Sequence, residues 1–120
     1  MRIKLKKEWG NFLFNIVFAI LSILIVIFFY KQIFLASILL LIVAIIGLIK
    51  WKSKITLAIF IFAGLFGTIA EMIAINYGVW TYSIKNIINI PLWLFILWGN
   101  AGAFMYQTAI EFKKIGIKDK

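Results

Sequence analysis

The sequence contains no cysteine and no histidine. The first absence removes disulfides, thiolate nucleophiles and cysteine-based metal sites. The second removes the usual acid–base group of neutral pH and the commonest metal ligand. Acids are scarce as well: Glu8, Glu71, Glu111 and Asp119 are the whole set. Carboxyl groups so scattered do not form the cluster that holds magnesium on a diphosphate. No metal and no cofactor is therefore expected. Proline occurs once, as Pro91, and no Gly/Ser- or Pro-rich linker divides the chain, so residues 1–120 read as a single transmembrane domain.

What is present is mostly apolar. Hydrophobic residues make up 65% of the chain and aromatics 18%, against 14% charged, and the mean hydropathy is +1.09. A soluble domain needs a polar exterior that this composition cannot supply. The expected class is an all-α integral membrane protein, whose solvent is lipid. Crossing a hydrocarbon core of ~30 Å takes about 20 residues at ~1.5 Å each. Four runs qualify, at about Trp9–Tyr30, Gln32–Ile49, Ile55–Tyr77 and Pro91–Phe112. Only Tyr30-Lys31-Gln32 separates the first two. One continuous helix there would reach about 60 Å, twice the core thickness, so a tight helical hairpin is expected. The connection from Gly78 to Ile90 carries Trp80, Tyr82, Asn86 and Asn89 with one charge, Lys85. It should lie at headgroup level, and Pro91 suits the first turn of the fourth helix.

The net charge is +9. In a soluble protein this would raise nucleic-acid binding, but here the basic residues flank the apolar runs and meet lipid headgroups, so no nucleic-acid partner is expected. The N-terminal tail carries four, Lys50–Lys54 three and the C-terminal tail four; Lys31 and Lys85 are alone in the other two connections. Eleven against two places both termini in the cytoplasm, N-in and C-in, by the positive-inside rule. The basic N-terminal start superficially resembles a signal peptide. Its apolar run is too long for one and no small-x-small cleavage site follows, so it is expected to stay as the first helix.

Polar residues inside the spans carry the functional information. Glu71 is the single ionisable residue well inside a run, about 8 Å below the outer end of the third helix. A carboxylate there is costly, so it should be protonated or paired. Gly64, Gly67 and Thr68 share its face and permit close helix approach. Glu71 is the candidate catalytic residue. Asn76, Tyr77, Trp80, Tyr82, Trp93, Trp98 and Asn100 are the candidate substrate-binding residues, offering hydrogen bonds and an aromatic wall at that depth. Trp98 and Asn100 lie about 200° apart on a helix, so both cannot face Glu71 equally. Asn11, Asn15, Ser22 and Gln107 read as interhelical glue. Glu8 and Glu111 read as rim charges near water, Trp9 and Trp51 as interfacial anchors. The second helix offers only Ser37 and is expected to be the most peripheral.

The stretch EMIAINYGVWTYSIKNIINIPLWLFILWGNAGAFMYQ, from Glu71 to Gln107, resembles a family of small prokaryotic four-helix membrane proteins of uncharacterised activity. Their pattern is an acid before G-x-W-x-Y, then I-P-L-W-L, then L-W. It is distantly similar to two carotenoid-biosynthesis families, the carotenoid hydratases and the small lycopene cyclase subunits. Glu71, Gly78, Trp80, Tyr82, Pro91 and Trp98 match their shared order. Lycopene cyclases of this type carry paired acids after the proline, where this chain has Leu92 and Trp93. The resemblance implies a multi-pass protein of a prokaryotic cell membrane and an isoprenoid-like substrate.

Three functions compete. The first is a binder of, or enzyme on, an isoprenoid or other lipid, with a neutral Glu71 donating a proton to an alkene or holding a hydroxyl. The second is a proton-coupled small transporter subunit, although small drug transporters place their acid in the first helix. The third is a non-enzymatic accessory or assembly protein that docks on a membrane partner. Small-residue stripes also suit a homo-oligomer.

Overall fold

The computed structural model describes residues 2–117, with side chains from Lys7 onward. Of the basic residues counted above, the side chains of Arg2, Lys4 and Lys6, and Lys118 and Lys120 entirely, lie outside that range. The described chain forms four α-helices and no strand: α1 (Arg2–Phe29), α2 (Ile33–Trp51), α3 (Lys54–Asn76) and α4 (Trp93–Lys114). Three segments are long and apolar enough to cross a membrane: Lys7–Phe29, Ile33–Trp51 and Lys54–Asn76. The 22-residue α4 falls short of that hydropathy because indoles, glycines and amides dilute it.

Local chemistry sets the boundaries. Tyr30, Lys31 and Gln32 turn the chain between α1 and α2, as the length argument requires. No glycine ends α1. The indole of Trp93 donates to the Tyr30 carbonyl instead, at 3.1 Å, and satisfies a group the helix end leaves open. Lys52 closes α2 in the left-handed conformation (φ 51°), and the Ser53 hydroxyl caps α3 by accepting the Thr56 N–H at 3.1 Å. Between α3 and α4 the chain makes a small reverse turn over Ile87–Ile90. Ile88 sits there at φ 51°, a conformation that costs a β-branched residue about 1–2 kcal/mol. Amide bonds on both sides hold it: Asn89 donates to the Met72 carbonyl at 3.1 Å, and Asn86 accepts the Leu92 N–H at 2.9 Å. Pro91 lies two residues ahead of α4.

The least apolar helix is the most enclosed. α4 packs against α1, α2 and α3, whereas α2 and α3 barely meet. Between α3 and α4 the backbones come together at glycines. A Cβ on Gly64 would lie 2.8 Å from the Phe95 carbonyl oxygen, and one on Gly99 2.9 Å from that of Phe60. α2 is not the peripheral helix. It buries Ala36, Ser37, Leu40, Ala44 and Gly47, and α3 buries the smallest share of its span. The difference arises because apolar residues, three of them Ala or Gly, form most of the α2 contact stripe.

Polar side chains tie the helices at successive levels of α4. Asn100, 1% exposed, donates to Ser22 Oγ at 3.1 Å and to the Leu40 carbonyl at 3.3 Å, joining α1, α2 and α4. Gln107 donates to Thr56 Oγ1 at 2.6 Å, and Asn11 to Glu111 at 2.9 Å. The indole of Trp51 donates to Asn15 at 3.1 Å. Such bonds contribute about 0.6–2 kcal/mol each within lipid. Glu8 and Glu111 are not rim charges. Both are buried, at 4% and 3% exposure. α1 begins well before Trp9, so Glu8 lies on its α4-facing side and not at its end.

Candidate functional site

α3 carries Glu71 one turn beyond Gly67. Gly67 has no side chain, and the indole of Trp98 from α4 lies in the space a Cβ would take. From there the Trp98 N–H donates to Oε2 of Glu71. The connection between α3 and α4 brings two more donors to Oε1: the Tyr82 hydroxyl at 2.5 Å and the Trp80 N–H at 3.2 Å. Tyr82 is itself placed by Trp93, whose ring meets it edge-on with centroids 5.9 Å apart. The Tyr30 carbonyl fixes Trp93 in turn. The site therefore rests on α3, α4, the connecting segment and the α1–α2 turn.

An indole N–H only donates, so both carboxyl oxygens act as acceptors. A carboxylate offers about four lone-pair positions, of which three are used. The remaining one, on Oε2, can take a single further donor. Trp80 and Trp98 leave part of their rings uncovered, at 43% and 37% exposure, so the open position lies beside two aromatic surfaces. Burial, followed by the hydrogen bond to Glu71 and its charge, pushes the Tyr82 phenol above its usual 10.0. A phenol that stays protonated stays a donor. Among the described residues no group of histidine, cysteine, aspartate or glutamate side chains is placed to hold a metal ion.

The other candidate residues lie elsewhere. Asn76 and Tyr77 border an open groove of about 490 Å3 with Met72, Ile88 and Asn89, on a different face of α3 from Glu71. Tyr77 is 82% exposed. Trp93 stands behind Tyr82 and makes no bond to the carboxyl group. Asn100 points away from Glu71 into the α1–α2–α4 core, while Trp98, about 200° round the helix, faces it.

Asn86, Asn89 and Glu8 take roles that the sequence reading did not give them. Asn86 and Asn89 hold the helix ends that frame the site, which depends on backbone positions no periodicity reveals. Glu8 continues the Asn11–Asn15 face one turn earlier, a spacing that does appear in the sequence once α1 is extended. No family model, no curated protein and no solved structure matches the chain.

Proposed function

We propose that this is a four-span protein of a prokaryotic cell membrane, with both termini cytoplasmic, that binds a lipid- or isoprenoid-like molecule at its outer end through Glu71. The number and placement of basic residues supports the orientation, and the enclosure of α4 by three apolar helices supports the fourth span. One observation carries the binding site. Two indole N–H groups and a phenol from separate segments converge on one carboxyl group and leave one acceptor position open. A ligand hydroxyl or ammonium fills that position, while its apolar body lies on Trp80 and Trp98. The donors favour an acceptor role for Glu71 over proton donation to an alkene.

Mass spectrometry of lipids co-purifying with the chain tests this. Glu71→Gln keeps the side-chain shape but replaces one acceptor oxygen with an amide N–H, among neighbours of which two, the Trp80 and Trp98 indoles, can only donate. A specific lipid-like species should fall at least about tenfold, the worth of one charge-assisted hydrogen bond, with bulk phospholipid unchanged. Equal retention by the Gln variant defeats the reading. The number of donors favours a second reading, in which the cluster is a clasp within a non-enzymatic accessory protein. A clasp predicts loss of thermal stability without any change in the bound species.

A further inference from the structure

At the end of the bundle opposite Glu71, a polar cavity of about 290 Å3 opens among α1, α2 and α4. We propose that it binds the phosphate of a hydroxyl-bearing phosphate ester. This does not depend on the Glu71 reading and involves none of its residues.

The floor of the cavity is two half-satisfied amides. Asn15, 1% exposed, accepts the Trp51 indole N–H on Oδ1, which fixes its orientation and leaves Nδ2 facing the cavity. Gln107, 7% exposed, donates from Nε2 to Thr56 and leaves Oε1 without a partner among the described residues. One donor and one acceptor are thus built into the same wall. Neither atom has a hydrogen-bond partner among the described residues, so both can bond a group in the cavity.

The charge is supplied by three helices. Lys7, Lys50 and Lys114 line the cavity. Lys114 is engaged by Glu111 at 3.4 Å, and that carboxyl group also accepts from Asn11. Lys7 and Lys50 have no acidic partner among the described residues; Lys50 lies 4.9 Å from the centroid of the Phe14 ring. Glu111 is the one acid on the cavity lining, against three lysines. The balance favours an anion. Phosphate oxygens match the Lys7 and Lys50 ammoniums and the Asn15 N–H, and a hydroxyl matches Gln107 Oε1. A fatty-acid carboxylate lacks the donor, and a choline head meets the lysines unfavourably. The ester can be a glycerophospholipid head from the surrounding leaflet or a soluble phosphate from the aqueous side.

Native mass spectrometry of the full chain released from detergent micelles decides it. In micelles doped with equal phosphatidylglycerol and phosphatidylcholine, the phosphatidylglycerol adduct should dominate at least about tenfold. Lys7→Ala with Lys50→Ala should abolish that preference, and these changes break no interhelical hydrogen bond. Asn15→Ala should weaken it, whereas Lys31→Ala with Lys85→Ala should leave it intact. Equal adducts of the two lipids overturn the proposal. So does an equal loss from the Lys31/Lys85 pair, which would mark diffuse surface charge. Displacement of the lipid by millimolar inorganic phosphate supports the site with a soluble source; a preference that survives phosphate supports it with the lipid source.

Discussion

At the residue scale, the behaviour of this protein turns on hydrogen-bond inventory. Glu71 is tolerated because every group that reaches it can donate, and Tyr82 is the donor whose state depends on pH. Its phenol ionises above its usual 10.0 in the folded chain. The folded state therefore holds a proton that the unfolded state releases near that pH. The stabilisation is complete below the ordinary phenol range and is lost as pH rises from there through the raised value of the folded chain. An ultraviolet titration of phenolate absorbance should show a lagging step above the ordinary phenol range, from Tyr82. Tyr82→Phe should remove the lagging step and leave the rest unchanged. If the intact protein shows no such late step, the contact with Glu71 is not formed in solution.

At the element scale, α3 and α4 approach through absent side chains. Gly67 and Trp98 act as a pair, because the indole occupies the volume that a methyl group on residue 67 would fill. Gly67→Ala and Trp98→Phe should each break the indole's bond to Glu71, and both should lower the co-purifying lipid-like species to the same extent. The double variant should lose little more than either single change, since both remove one contact. Additive losses would show that Gly67 acts through packing alone. Gly99→Leu tests the backbone approach itself. Its Cβ would meet the Phe60 carbonyl, which cannot rotate away as a side chain can. A destabilisation of about 1–3 kcal/mol or more is expected, read as a lower melting temperature in detergent.

At the scale of the whole molecule, the polar groups are segregated by depth. The carboxyl group with its aromatic donors sits at one end, a single amide network at the middle, and the lysine-lined cavity at the other end. Topology follows from a labelling experiment that the absence of native cysteine makes simple. Ser83→Cys lies in the α3–α4 connection and Lys113→Cys in the last turn of α4, and both positions are exposed. An impermeant thiol reagent applied to intact cells should modify the first and spare the second until the membrane is opened. Labelling of both from outside contradicts the four-span arrangement.

Much of the fold was legible in the chain. Run length against bilayer thickness marks out four runs, three of which form helices long and apolar enough to cross a membrane, and it demands the turn at Tyr30–Gln32, because these depend only on composition and on a fixed rise per residue. The Gly64–Gly67–Glu71 spacing likewise announces a face of α3 that meets protein. Three matters were settled only in three dimensions. Which of Trp98 and Asn100 turns toward Glu71 depends on the rotation of α4, set by contacts with three other helices at once. The burial of Glu8 depends on how far α1 extends past its apolar run, since a charged turn can stay helical when a partner helix covers it. The gathering of Trp80, Tyr82 and Trp98 around one carboxyl group depends on the path of the α3–α4 connection, which amide side chains hold to helix ends far from them in sequence. Hydrophobicity and periodicity are properties of one segment, whereas hydrogen-bond partnership belongs to pairs of segments and exists only once they are docked.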